Sequence, residues 1–456
     1  MKNLLLPLTL LAYPLVFISP AKSQYWELYD TFSISLPIFF LYSCIAIAFL
    51  FQKKITLSNK YIIALCFSIP VIFLSFQKYP SQNIYKSIIF LGYITIPLFS
   101  AYLFKTSKKH TFYFICFIIW LFNTLHCLIF NQKVGLAGNQ NWLSGTILCL
   151  IPWSIRYLQI KSRQYFPKIT KYQSLLVSIS TICRLRLPVL WRAGSRASMA
   201  AFLISTFFIS LSLITRKKQL TIGLTILIVS LLTALFFNPK IQRAIQKDIR
   251  LPLWQGACNM IEEAPILGHG VNSFKNNFSF YRTAEHSRRL YAAARIQHPH
   301  NEFLHIAIEL GLPLAFAWIL WVLWYYRKAH LQKKYTLARW SVMILLIQGL
   351  IDKNLMMPPG NILFPIFLGI LIKDHIQKSS TQIKSPIILR GISLTVISIG
   401  IFYTFSHLMA DIHHRKAIAL SHSTKLKDHK KILTEFLLSH TWDSSQHHHD
   451  TDFIQY

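Results

Sequence analysis

The stretch TFYFICFIIWLFNTLHCLIF at residues 111–130 decides the fold class. It carries no Asp, Glu, Lys or Arg, and a helix of that length covers the ~30 Å of hydrocarbon in a bilayer. Lys105, Lys108 and Lys109 precede it and Lys133 follows. That asymmetry is what the positive-inside preference leaves on a segment whose lysine-rich flank stays in the cytoplasm.

The same signature recurs on both sides of this stretch. Apolar runs of about 17 to 25 residues, long enough to span, lie near 4–20, 31–51, 61–76, 86–104, 111–130, 142–158, 173–191, 197–215, 219–237, 303–325, 338–351, 361–372 and 387–409. The run at 361–372 is short unless it borrows from its flanks. The first, with Lys2 before it and Ala21-Lys22-Ser23 after it, also resembles a secretory signal, and downstream topology is the same either way. Composition agrees: mean hydropathy is +0.40 and only 14% of residues are charged, against about a quarter in a soluble domain. The formal charge of +32 therefore reads as loop topology rather than nucleic-acid binding. Six of the seven cysteines sit inside apolar runs and Cys258 stands alone, so neither a disulfide framework nor a metal knuckle is implied.

Alternate loops hold the cations. Lys53, Lys54 and Lys60, then Lys105, Lys108 and Lys109, then Lys161, Arg163, Lys168 and Lys171 mark the cytoplasmic side. Arg216, Lys217 and Lys218, then Arg327, Lys328, Lys333 and Lys334, then Lys373, Lys378 and Lys384 continue it. The intervening loops face the periplasm. The reading is an all-α, polytopic transmembrane helix bundle of about 12–13 spans with one large periplasmic loop. It divides into N-terminal helices at 1–237, the loop at 238–302, C-terminal helices at 303–410 and a polar periplasmic tail at 411–456. Arg184 and Arg186 fall inside one span, at a cost of ~2.5–3.5 kcal/mol each on insertion scales, and are expected to face protein, water or a headgroup. In the tail, Ala417, Ala419 and Leu420 followed by Ile432, Leu433, Phe436 and Leu437 suggest a helical hairpin.

Polar chemistry collects on the outer side. The 238–302 loop has a positive excess of about +4, including Arg243, Arg250, Lys275, Arg282, Arg288, Arg289 and Arg295. The positive-inside preference does not explain it, and forked guanidinium groups suit phosphate or carboxylate ligands; the bland reading is solvated surface arginines. Pro265-Ile266-Leu267-Gly268-His269-Gly270 lacks the spacing of a dinucleotide loop and reads as a tight turn holding the loop against the helices. His298-Pro299-His300-Asn301-Glu302 is the densest cluster. A helix starting near residue 301 puts Glu302, His305 and Glu309 on one face. Three uses are open: a metal site from His298, His300 and His305, a general base on a hydroxyl, or a helix cap at Asn301. In Gly138-Asn139-Gln140-Asn141-Trp142, Asn141 and Trp142 are either sugar-binding groups or an interfacial anchor. Arg196, in Gly194-Ser195-Arg196-Ala197, is either a grip for a lipid-linked phosphate or an ordinary interfacial arginine.

Together these motifs, with Arg250 and Trp254 and with His298 to Leu304, resemble the bacterial O-antigen ligase and O-antigen polymerase family, which includes pilin-type protein O-oligosaccharyltransferases. The resemblance covers residues 130–375 by motif, most specifically in His300-Asn301, nine residues, then Gly311. Leu314 departs from it, standing where ligases tend to have a small residue or tyrosine, and so does Arg184-Leu185-Arg186. The resemblance implies an inverting, metal-independent glycosyltransfer in the inner membrane, active face periplasmic, with no cofactor. An undecaprenyl-pyrophosphate-linked glycan would be donor, and lipid A core, another glycan or a protein the acceptor. It makes His300, Arg196 and Arg250 the catalytic candidates: His300 as base, the arginines on the donor pyrophosphate. Asn141, Trp142, Arg282, Arg288, Arg289, His298, Asn301 and Glu302 are the substrate-binding candidates. O-antigen ligase is the reading taken, with polymerase or protein O-oligosaccharyltransferase as the alternative. A transporter would show paired broken half-helices, and a non-catalytic relative is the third class.

Overall fold

The computed structural model describes residues 55–58, 96–97, 100–101, 109–129, 140–193, 195–213, 248, 250–271, 273–289, 296, 298–330, 332–355, 360–377, 380–383 and 429–442, with single positions between 398 and 420. The expected spans at 4–20, 31–51, 61–76 and 219–237 lie outside these residues, as do most of 86–104 and 387–409.

The described chain is helical. Four long helices come first: α1 (Lys109–Ile129), α2 (Gln140–Tyr165), α3 (Lys171–Ala193) and α4 (Arg196–Leu213). The 238–302 loop contributes α5 (Arg250–Glu263), α6 (Ser273–Asn277), a 3-10 turn at Phe278–Tyr281 and α7 (Ala284–Arg289). Next come α8 (Glu302–Leu310), α9 (Leu312–His330), α10 (Thr336–Gly349) and α11 (Gly360–Gln377). Far along the tail lies α12 (His429–Trp442). Among the described residues, α1 is the one helix long and apolar enough to cross a membrane.

Helix α11 is apolar on every side, and a helix without a polar face has to sit inside a bundle. Residues 360–372 of it are indeed all buried. It borrows from both flanks of the short 361–372 run, as its length requires. Against it stacks Trp153 of α2, whose ring lies 5.3 Å from Phe367 and meets Phe112 of α1 edge-on at 5.0 Å. The Trp153 indole donates to Ser341 Oγ of α10 (2.9 Å), and that hydroxyl donates to Cys149 O (2.6 Å). A polar pair thus sets the register of α2 against α10. Helix α3 runs through Arg184 without a break, with that side chain exposed. The Arg186 side chain lies outside the described ones.

Two features depart from the sequence reading. The 303–325 run is two helices rather than one, broken at Gly311, whose φ of 86° an L side chain rarely adopts. A Cβ there would stand 2.0 Å from Ile266 O, so glycine is needed both for the turn and for the close approach. The all-α class also admits a short antiparallel ribbon: β1 (Ile55–Ser58) pairs with β2 (Ser380–Ile383), Ile55 opposite Ile383 and Ser58 opposite Ser380. In the tail, Ala417 and Leu420 pack on Ile432 and Phe436 of α12, and His413 Nδ1 meets Glu435 Oε2 at 2.6 Å, which gives the expected hairpin a hydrophobic contact and a hydrogen bond.

Candidate active site

The site is built outward from the start of α8. Asn301 is extended (φ −155°, ψ 116°) and its side chain accepts from the Leu304 amide at 3.1 Å, a helix cap. The residue before it, His300, has φ 51° and is the one non-glycine with positive φ among the described residues. Such a backbone costs on the order of 1–3 kcal/mol and persists only where its surroundings impose it. Here they are visible. Trp254 of α5 donates its indole N–H to Pro299 O (2.9 Å), and His300 Nδ1 meets Asp352 Oδ1 at 2.9 Å.

Asp352 follows α10 and is buried, its side chain 1% exposed against 32% for His300. It accepts from the Lys353 amide (2.8 Å) and, through Oδ2, from the Asn141 side-chain amide. Burial alone would raise its pKa. The hydrogen bond and charge of His300, the Lys353 amide and the field of Arg250 outweigh that and hold the carboxyl below the ordinary carboxylate range. An ionised carboxylate only accepts, so Nδ1 of His300 carries the proton. Nε2, the ring nitrogen that does not face the carboxylate, is then the one left to serve as a general base.

Asn141 ties this pair to two more helices. Its carbonyl accepts from Gln348 Nε2 of α10 (2.8 Å) and Ser198 Oγ of α4 (3.3 Å), while Gln348 Nε2 also reaches Ser198 Oγ (2.6 Å). Ser195 caps α4 by accepting from the Ser198 amide (3.3 Å). Arg196 is therefore the first residue of a helix whose opening turn is bonded to the Asp352-bearing segment through Asn141. The Arg196 side chain lies outside the described ones. Close approach of α2 and α10 depends on Gly145, where a Cβ would stand 2.2 Å from Gln348 Oε1.

Arg250 opens α5 and is held by Asp248, which accepts from its amide (2.9 Å) and from Nη1 (3.3 Å). Arg250 and Trp254, four apart, share a helix face. The turn after α5 clamps onto α8: His269 N–H donates to Ile308 O (2.8 Å), Gly270 N–H to Glu309 O (3.1 Å), and Leu312 N–H to Pro265 O (2.8 Å). This is the tight turn expected from Pro265 to Gly270, made possible by Gly268 at φ 68°.

The other candidates are placed variously. His298 packs edge-on against His300, centroids 4.3 Å apart. Glu302 is buried, and its Oε1 accepts from the Leu355 amide (3.0 Å), bracing the Asp352 loop. Trp142 is 3% exposed and lies 4.9 Å beneath the Lys353 ammonium, a packed cation–π pair rather than an open stacking platform. Arg282 is half-buried beyond the 3-10 turn, and Arg288 is exposed on α7 with Nε on its own Ala284 O (3.3 Å). The Arg289 side chain is not among the described ones. His305 pairs with Glu309 (3.0 Å) inside the bundle. Among the described residues no three His, Cys, Asp or Glu are grouped to hold a metal ion.

Sequence reasoning missed Asp352, Gln348 and Asn354, whose side-chain amide also reaches the Asn141 carbonyl (3.4 Å). The signal was there in Asp352-Lys353-Asn354, a polar triplet between two apolar runs.

No curated protein matches the chain. Residues 188–319 match the family model described as O-antigen ligase, a segment that holds Arg196, Arg250, the 265–270 turn, His300 and Gly311. Residues 188–319 thus form an O-antigen ligase domain, and that domain supports a membrane glycosyltransferase of the O-antigen ligase and polymerase type.

Proposed function

We propose that the protein is a multi-span inner-membrane O-antigen ligase that moves a glycan from undecaprenyl pyrophosphate to a hydroxyl of lipid A core at the periplasmic face. The observation that carries this is the His300–Asp352 pair, an oriented imidazole with its outer nitrogen free of the carboxylate. As the acceptor oxygen bonds to the anomeric carbon, His300 Nε2 takes its proton. The bond from that carbon to the pyrophosphate oxygen breaks, and the electron pair leaves with the pyrophosphate. Arg196 and Arg250 stabilise that charge where a divalent ion otherwise would. Attack opposite the leaving group inverts the anomeric centre.

Two observations support the sidedness. The β1–β2 ribbon joins two loops that basic residues assign to the cytoplasm, and Lys334, in a third such loop, pairs with Asp374 at the start of the second. Asp352 lies past the other end of α10, a helix of 14 residues and so about 21 Å long. Cysteine labelling tests it: Phe280→Cys should react from outside and Lys217→Cys should not.

The activity is tested by expressing the chain, and its His300→Ala variant, in ligase-null and polymerase-null strains and reading the glycan banding of lipopolysaccharide. Restoration of the ligase-null strain by the wild type and not by the variant is the expected result. Full activity of His300→Ala sinks the base assignment, and rescue of the polymerase-null strain alone moves the reading to polymerase.

A further inference from the structure

Glu302 opens α8 directly behind the Asn301 cap, and its side chain is buried. An acid in the first turn suits the helix dipole, but that interaction does not require burial. Burying a carboxylate is unfavourable unless it is paired or hydrogen-bonded, so the position needs a further reason. The side chain packs over Gly349 at the end of α10, where a Cβ would stand 3.3 Å from Glu302 Cγ. Beyond that glycine, Oε1 accepts from the Leu355 amide (3.0 Å). Segments 300–302 and 352–355 are thus joined twice, at His300–Asp352 (2.9 Å) and at Glu302–Leu355 (3.0 Å). One hydrogen bond leaves two segments free to pivot about it. A second, two residues along one segment and three along the other, removes that freedom. The far side of the Asp352 loop is tied to α2, because Asn141 donates to the Asp352 carboxylate and its carbonyl accepts from Asn354 Nδ2 (3.4 Å).

We propose that Glu302 is a positioning residue, whose bond to the Leu355 amide holds the Asp352 carboxylate where it selects the Nδ1–H tautomer of His300. The inference rests on the base reading above and assigns the group that keeps the base oriented. Three observations select this role. With 3% of its surface exposed, Glu302 is closed to a sugar or a phosphate, and its negative charge has the wrong sign for a pyrophosphate. An acid serving only the start of α8 finds free amides within its own first turn, whereas the amide it bonds lies 53 positions away. That amide belongs to the segment carrying Asp352, so a change at Glu302 reaches His300 through Asp352.

The experiment compares full-length wild type with Glu302→Gln and Glu302→Met in phospholipid nanodiscs, at matched amounts of folded protein, on a lipid-linked glycan donor. Gln keeps the accepting oxygen and should hold kcat within about threefold of wild type. Met fills the space without accepting and should lower kcat about tenfold, the scale of one hydrogen bond, with KM for donor unchanged. Glu302→Asp keeps the first-turn acid but is a methylene short of the Leu355 amide; it should behave as Met does and replaces it if Met does not fold. In the Asp352→Asn background either change should lower kcat no further, because the group it positions is already disabled. The imidazole nitrogen NMR spectrum, with His300 identified as the signal missing from His300→Ala, should move in Glu302→Met from the Nδ1–H pattern toward mixed tautomers. A raised KM with kcat unchanged makes Glu302 a substrate ligand and overturns the proposal. Equal loss of kcat in both backgrounds with the His300 signal unmoved makes its role merely structural and also overturns it. Full activity of His300→Ala removes the base reading instead, and the spectrum still decides whether Glu302 orients the ring.

Discussion

His300 and Asp352 are 52 positions apart in the chain and meet at 2.9 Å, with the carboxylate buried and the imidazole facing out. This contact fixes one tautomer of the ring. Asp352→Asn keeps the size of the side chain but loses the charge that favours Nδ1–H. We expect kcat to fall on the order of 10²–10⁴-fold, the range a general base supplies, with KM for donor little changed and Asp352→Glu partly active. Steady-state turnover of a lipid-linked donor measures this, and an unchanged kcat in the asparagine variant would disprove the orienting role.

The same carboxyl makes stability depend on pH in a definite direction. Because its folded pKa lies below the ordinary 3.8, Asp352 contributes stability that is complete above the ordinary value and is lost as pH falls through the depressed one. The melting-temperature difference between wild type and Asp352→Asn should therefore be flat near neutrality and shrink in acid. A difference that grows as pH falls below that range contradicts the assignment.

Gln348 joins three helices through one amide nitrogen. Its replacement by Ala leaves the Asn141 carbonyl and the Ser198 hydroxyl short of a buried donor, at about 1–3 kcal/mol. Gly145→Ala should destabilise by a comparable route, since the new methyl meets the Gln348 side chain. Thermal melts in detergent should show both as lowered midpoints, and the two changes together should cost less than their sum because they disturb one contact.

Trp142 gives a prediction of the opposite sign. Its indole N–H makes no hydrogen bond and its ring is covered by Lys353, so Trp142→Phe should leave KM for the glycan donor within about twofold of wild type and cost less than ~1.5 kcal/mol of stability. A large rise in KM without loss of stability would restore it as a sugar platform.

Gly311 is required by backbone rather than by side-chain chemistry. Gly311→Ala must place a methyl against Ile266 O at a φ that alanine tolerates poorly, with ~1–3 kcal/mol from the φ alone. Lower yield of folded protein, with turnover per folded molecule also reduced as α8 shifts, is the expected pattern.

How much of this was legible in the sequence follows from what each signal encodes. Run length and flanking lysines found α1, α2, α3, α4, α10 and α11 because burial and hydropathy act residue by residue. They did not find the break at Gly311, since one glycine inside an apolar run changes mean hydropathy little, and the Ile266 carbonyl that requires it comes from another part of the chain. The cap at Asn301 and the turn at Gly268 were readable because both are local. Asp352 was marked only as part of a polar triplet between apolar runs, because its partner His300 is set by a contact that the folded bundle creates. Trp142 looked like a sugar-binding group because an indole at a helix start carries no mark of which neighbour will cover it.

The matched segment, 188–319, ends before Asp352 and begins after Asn141. Synthesis runs from the N-terminus, so the imidazole at 300 is made before the carboxylate that orients it. Until the end of α10 docks beside Asn141, His300 lacks the partner that selects its tautomer. If His300 is the base proposed above, competence arrives late in assembly, and a chain stalled before residue 352 would hold that imidazole with no carboxylate to orient it.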